Sequence, residues 1–191
     1  AIQWLREKRV RYVLLGAVEE HCAARTYCHE RLYGPRQSGP MNPLKYDQNT
    51  AILGEGAVFF VLSLEESGPS YGYLNDVQIG SGEEVESVIG DDGPLILAAD
   101  GHPQCGKWYK RCVQSDTQAL AYTPVYGSMP VGPAFDMAIA ALACRRGVLP
   151  VLDVGKTEGT RSPQIDVKEV GVRCRTLDAD RTVAGFSVTP G

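Results

Sequence analysis

The sequence of 191 residues lacks several things that would point to common classes of function. It has no excess of positive charge, with 19 Lys and Arg against 23 Asp and Glu, so nothing in its field favours nucleic acid. It has no apolar run long enough to cross a bilayer. The longest, Val131 to Cys144, is interrupted by Gly132, Pro133 and Asp136 and falls short of the ~20 residues that a span needs. Nothing in Ala1-Ile-Gln-Trp-Leu-Arg-Glu-Lys-Arg9 reads as a secretory leader, since an apolar stretch and a small-residue cleavage site are both missing. Nor is the chain poor in apolar residues. At 43% hydrophobic and 22% charged it can bury a core, which excludes intrinsic disorder.

Six cysteines are present, at positions 22, 28, 105, 112, 144 and 174. Without a secretory signal an even count does not argue for disulfides, and a reduced cytoplasmic protein is expected. His21-Cys22 and Cys28-His29 form an H-C-x5-C-H pattern that fits no standard zinc spacing, so no metal is expected.

The length allows one domain of ordinary size or two small ones, and the alternation of strands and buried helices, with no tandem repeat and no linker, predicts an α/β layered fold; residues 1–191 are read as one domain through the resemblance given below. Residues 1–9 read as the end of a helix, and Arg11 to Gly16 as a buried strand stopped by glycine. Residues 19–50 carry Gly34-Pro35, Gly39-Pro40 and Asn42-Pro43 and predict a long loop with at most one short helix. Strands are expected over Gly56 to Ser63, Leu74 to Gly80 and Leu95 to Ala99, with the last running into Asp100-Gly101. Short helices are expected over 83–89 and 105–115, and turn chemistry over 91–94. Pro133 to Gly147 is the clearest helix, opened by proline, closed by Arg145-Arg146 and stopped by Gly147. Its alanine-rich surface predicts burial on most sides. The final strands are expected within Leu177 to Ser187.

Three segments together resemble the β-ketoacyl synthases of the thiolase superfamily. Pro43-Leu-Lys-Tyr-Asp-Gln-Asn-Thr-Ala-Ile-Leu-Gly-Glu-Gly-Ala57 and the strand after it are similar to the family's "PFDxxRDGFVxGEGAGxxVLE" run. Ala138 to Pro150 resembles "AxxxLALRxGxxPP", and Val183-Ala-Gly-Phe-Ser-Val-Thr189 echoes "NSFGFGG". Ala1 to Glu19 is similar to the stretch that follows the family's nucleophile. The order and spacing of these pieces cover almost the whole chain. The resemblance implies a layered αβαβα fold of thiolase type, present here as its later part. It also implies that the nucleophilic cysteine lies upstream of Ala1, outside this sequence.

A ketosynthase holds an acyl chain on a thiolate, and two histidines stabilise the enolate formed by decarboxylation. By resemblance the first histidine should follow the strand at Leu95-Ile-Leu-Ala-Ala-Asp100, which places Asp100 in its position. A shift of two residues would bring His102 there instead, where the bland alternative is an exposed loop residue. Counting back from Arg145-Arg146-Gly147 puts Gly127 at the second histidine. The only other histidines, His21 and His29, lie in the early loop. No catalytic residue is therefore assigned. An ionised Asp100 would repel an enolate.

The pattern resembles a chain-length factor, the inactive partner that pairs with an active β-ketoacyl synthase as a heterodimer and shapes the acyl tunnel. In that reading no cofactor is bound, and acyl chains arrive on the phosphopantetheine of an acyl carrier protein. Gly54, Glu55 and Gly56 are structural, the glycines for close backbone approach and Glu55 as a hydrogen-bond acceptor at a turn. A phosphate loop is the rival reading of Gly-Glu-Gly, but no Lys-Ser/Thr follows and a strand comes next. Ser128, Met129, Phe135 and Phe186 are candidates for lining the tunnel, though Met, Phe and an ordinary core role also go together. Trp108-Tyr109-Lys110-Arg111 could meet an acidic carrier or form a solvated face with anchored aromatics. Two other readings stand beside this one. The chain could belong to an active synthase in which His102 is one donor, or it could be a structural or interaction protein with no acyl substrate.

Overall fold

A strand with no polar residue needs cover on both faces, and Leu95-Ile96-Leu97, each 0% exposed, has it. In the computed structural model this strand lies inside a five-stranded mixed sheet. The structure describes residues 1–45, 47–65, 69–81, 93–112, 118–152, 163–177 and 182–191. The helix expected over 83–89 and the first half of the turn over 91–94 lie outside the described residues.

In chain order the elements are α1 (Ile2–Arg6), β1 (Tyr12–Glu19), α2 (Ala23–Tyr33), β2 (Gly56–Ser63), β3 (Tyr73–Ser81), β4 (Leu95–Leu97), α3 (Pro103–Cys112), β5 (Ala119–Leu120), α4 (Thr123–Tyr126), α5 (Gly132–Arg146), β6 (Val148–Pro150), β7 (Gln164–Asp166), β8 (Val172–Leu177) and β9 (Thr182–Thr189). The main sheet has the order β3-β9-β8-β4-β5. β3, β9 and β8 are antiparallel neighbours, while β8, β4 and β5 run parallel. Side chains alternate across it. Ile96, Cys174, Val172 and Val188 pack on one face with Ala140, Ala143 and Cys144 of α5. Leu95, Leu97 and Val183 pack on the other with Tyr109 of α3, flanked by Trp108. The sheet is thus the middle of a helix–sheet–helix sandwich.

The helix α5 forms where its signals place it. Proline sits in its first turn, and Gly147 ends it at φ 70, with its N–H returned to Cys144 and Ala143. Burial is less complete than its composition suggests. Ala140, Ala143 and Cys144 face the sheet, whereas Leu142, Arg145 and Arg146 face out, because only one side of the helix has a sheet to cover it. The Cys144 thiol donates to the Val188 carbonyl at 3.1 Å.

β1 corrects an expectation. It is a strand, but it continues past Gly16 to Glu19 and is not buried. Among the described residues it pairs only with β2, in an antiparallel ribbon of two strands with Leu14 opposite Val61, Gly16 opposite Phe59 and Val18 opposite Ala57. Leu14, Val18, Phe59 and Val61 are each at least 60% exposed and share one face. Gly16 leaves room for the Phe59 ring, which lies where a Cβ would be. Among the described residues no layer packs on that face, and a ribbon so placed cannot bury it, whatever its composition. The stretch 19–50 also holds more order than expected, since α2 occupies eleven residues of it.

Candidate functional site

The site lies where β4 leaves the sheet. Beyond Leu97 the chain turns at Asp100, Gly101 and His102, and then enters α3. The turn is closed by the Asp100 side chain, whose Oδ1 accepts the His102 backbone N–H at 3.2 Å. Gly101 adopts φ +86, and a Cβ there would stand 2.7 Å from Thr50 Oγ1 and 2.9 Å from the Ala51 nitrogen. Only glycine lets segment 49–54 approach this closely. That segment is fastened in turn. The Thr50 N–H donates to the Gly101 carbonyl at 2.9 Å, and the buried Asn49 amide donates to the Gly34 carbonyl at 3.0 Å.

Asp100, His102 and His29 form a chain of contacts. His102 Nδ1 lies 2.6 Å from Asp100 Oδ2, and its Nε2 meets Nε2 of His29 on α2. The Ser128 hydroxyl donates to the same Asp100 oxygen at 3.1 Å. The Tyr33 ring stacks on His102 with centroids 4.0 Å apart. Burial alone would push the Asp100 carboxyl up, but the hydrogen bonds and charge of His102, with Ser128, outweigh it and hold the group below its ordinary value. It is therefore a carboxylate at neutral pH. Burial, followed by the neighbouring His102, pushes the His29 imidazole down. His29 is therefore neutral at neutral pH.

Beside this chain two glycines cross. A Cβ on Gly54 would lie 2.0 Å from the Tyr126 carbonyl oxygen, and one on Gly127 would lie 2.5 Å from Gly54 Cα. The contact is a short parallel bridge between Leu53 and Ser128, made by Ser128 N–H to the Ile52 carbonyl at 2.6 Å and Gly54 N–H to the Ser128 carbonyl at 3.1 Å. Arg25 of α2 clamps it. Its guanidinium donates to the carbonyls of Gly54 at 2.8 Å and Ser128 at 3.0 Å, and pairs with Glu19 at 3.3 Å. Glu55 accepts the His21 backbone N–H at 3.2 Å, and Gly56 faces Phe135 and Met129.

The structure brings Asp100, His102 and Ser128 together and sets Gly127 against Gly54. Met129, buried, and Phe135, half-buried, meet at Gly56. Phe186 does not join them. It is paired across the sheet with Cys174 and packs into the α5 side of the core. His102 is not an exposed loop residue but 7% exposed, because Tyr33 and His29 cover its ring. His29 is not in a loop but on a helix that carries it to His102, 73 residues away. No local pattern marks that contact, and none marks Arg25. Tyr109 belongs to the core, 3% exposed, with its hydroxyl donating to the Ala98 carbonyl at 3.0 Å. Cys22 and Cys28 are exposed, while Cys144 and Cys174 lie in the core. Among the described residues no three His, Cys, Asp or Glu side chains gather as a metal site, and no helix is long and apolar enough to cross a membrane.

No family model matches the sequence, and no curated protein matches it. Solved structures do resemble the fold. The ishigamide ketosynthase/chain length factor superposes with a TM-score of 0.77 at 15% identity, over 100% of this chain and 57% of that one. A type II PKS acyl-carrier protein in complex with its ketosynthase bound to the hexaketide gives a TM-score of 0.80 at 11% identity, over 100% of this chain and 59% of that one. A β-ketoacyl synthase from Burkholderia phymatum gives 0.75 at 11% identity, over 99% and 57%. The fold is therefore that of the ketosynthases, a mixed α/β fold of thiolase type, and the chain spans under three-fifths of the length of these structures.

Proposed function

We propose that this chain is a ketosynthase-like subunit that does not itself condense acyl groups and that works beside an active β-ketoacyl synthase, in the manner of a chain-length factor. The observation that carries the reading is the state of Asp100. The strand that resembles the approach to the family's first histidine ends in a carboxylate, held ionised by His102 and Ser128. A fixed negative charge destabilises an enolate, whereas the chemistry needs a donor at that point. At the position matched to the second histidine stands Gly127, pressed against Gly54 with no room for a side chain. The scaffold around these positions is meanwhile well bonded, which suits a part retained for shape.

In this role the partner is a ketosynthase subunit, and the acyl chain arrives on an acyl carrier protein, so the chain needs no cofactor of its own. Met129 and Phe135, which meet at Gly56, and Ser128, which donates to Asp100, are the candidates for bordering a shared tunnel. The exposed face of the β1–β2 ribbon is consistent with a chain that is covered in an assembly.

Native mass spectrometry of the protein from its source tests the reading, together with a malonyl-carrier decarboxylation assay. The expected result is a heteromeric complex, with turnover lost when the partner's activity is lost and no turnover by this chain or by its Asp100→His variant. Turnover by this chain alone would establish the active-synthase alternative, with His102 as a donor. A monodisperse single species without acyl binding would leave only the structural role.

A further inference from the structure

Helix α2 lies across the turn after β4, yet it has no buried residue of its own. Side-chain contacts fasten it there. The Arg25 guanidinium donates to the carbonyls of Gly54 at 2.8 Å and Ser128 at 3.0 Å. Where the helix ends, the Asn49 amide donates to the carbonyls of Tyr33 at 3.4 Å and Gly34 at 3.0 Å. A further fastening is the meeting of His29 Nε2 with His102 Nε2, their ring centroids 4.5 Å apart, beside the Tyr33 ring stacked on His102. A cavity of ≈ 350 Å³ lies between the helix and Ala51, Ile52 and Leu53. Of these fastenings only the histidine pair is built from side chains of a kind that titrates near neutral pH, since a guanidinium stays charged and an amide neutral.

A hydrogen bond between two Nε2 atoms needs one N–H and one bare nitrogen. Two neutral rings meet that need, and so do one neutral ring and one imidazolium, whichever residue carries the charge. Two imidazolium rings do not, because N–H then faces N–H and two positive charges adjoin. The charged and titratable groups around the pair are Arg25, Glu30 and Tyr33 on α2, Asp100 in the turn after β4, and His21 and Arg36 at the cavity. Burial, then His102, pushes the His29 imidazole below its ordinary 6.5, with Arg25 acting in the same sense and Asp100 against them. The docked helix thus resists a proton that the released helix accepts. Docking is therefore fully favoured above pH 6.5 and is lost as pH falls below it.

We propose that α2 is an acid-released lid over Asp100, His102 and Ser128, held shut by the His29–His102 hydrogen bond and released when both rings are imidazolium. The releasing step adds one proton from solvent to the bare Nε2 of the pair. It forms an N–H bond there and breaks the hydrogen bond which that nitrogen had accepted. Tyr33 then leaves the His102 ring, and the cavity opens onto the Asp100 carboxylate. The assignment does not rest on the function proposed above.

Amide hydrogen exchange at about pH 7.5 and 5.5 tests it, read as protection factors so that the intrinsic pH dependence of exchange is removed. That window spans the ordinary imidazole value of ~6.5 and stays above the ordinary carboxylate values of ~4. Protection in residues 23–33 should fall at least about three-fold and at most about ten-fold on acidification. The same residues should exchange at least about ten-fold faster than α5 at both pH values, because the release is local. A glutamine amide can face His102 in either protonation state, so His29→Gln should keep α2 docked and abolish the fall. His102→Gln alters the other ring and should abolish it too, and it decides the matter where His29→Gln lowers protection at pH 7.5. His21→Gln, outside the pair, should leave the fall intact. The proposal is overturned if protection in residues 23–33 is the same at both pH values, if the fall survives in the deciding variant, if it vanishes in His21→Gln, or if the segment exchanges no faster than α5.

Discussion

Asp136→Asn should flatten the pH dependence of this protein's stability between pH 5 and 8. Asp136 lies on the first turns of α5 at 1% exposure. The Tyr126 hydroxyl donates to its Oδ1 at 2.8 Å, and its Oδ2 has no partner among the described residues. Burial pushes the carboxyl from its ordinary 3.8 up to about 7, against the opposing effect of the Tyr126 hydrogen bond. The folded state therefore holds a proton that the unfolded chain releases. Stability from this group is fully present below pH 3.8, and it is lost as pH rises towards 7. The full shift of about three pH units is worth roughly 4 kcal/mol, of which about 2 to 3 kcal/mol falls between pH 5 and 8.

Asparagine keeps a carbonyl for Tyr126 but cannot ionise. Its amide inherits the unpartnered position, at a constant cost of about 1–3 kcal/mol. The assay is urea unfolding of both proteins at several pH values, with the difference in stability taken at each. His29 and Asp100 titrate in both proteins, and their effects cancel in that difference. The wild type should lose about 2 to 3 kcal/mol relative to the variant from pH 5 to pH 8. Parallel curves would refute the reasoning and show that Asp136 is solvated or paired in solution.

Two other perturbations address the site. Gly54→Val should yield no folded protein, because its Cβ would lie 2.0 Å from the Tyr126 carbonyl oxygen; soluble material with a native circular dichroism spectrum would contradict the crossing of Gly54 and Gly127. Arg25→Ala should release α2, which has no buried residue of its own, and raise amide exchange in residues 23–33 at least about ten-fold while the main sheet stays protected. Unchanged exchange in α2 would mean that Asn49 and the His29–His102 contact suffice to hold it.

Much of this architecture is legible along the chain. The helix α5 is opened by Pro133 and stopped by Gly147, and β2 runs from Gly56 to Ser63 as its β-branched and aromatic run indicates. Such signals are local. Each depends on backbone preferences within a few residues, which no distant contact overrides here. The order of the motifs around Gly54-Glu55-Gly56 and Arg145-Arg146-Gly147 likewise indicates a ketosynthase-like fold, the fold that the solved structures match. Burial is a different matter. Arg11 to Gly16 has the composition of a core strand, yet β1 is exposed, because burial is decided by what packs on a face and not by the residues that form it.

The site depends still more on the tertiary structure. Asp100 and Gly127 can be placed by motif, but the carboxylate state of Asp100 follows from three donors on its oxygen atoms, the backbone N–H and ring of His102 and the Ser128 hydroxyl. His29 and Arg25 carry no motif at all. Their roles arise when α2 is laid across the turn after β4 and across the Gly54–Gly127 crossing. By itself the sequence determined the best-punctuated elements, such as α5 and β2, and the type of fold, because these are encoded in short-range patterns and in the order of the motifs, whereas the eleven-residue α2 and the extension of β1 to Glu19 were not legible. Which side chains meet, which charges are buried and which apolar face is left uncovered were decided only by the tertiary structure, because hydrogen bonding and desolvation act between residues that the chain separates widely.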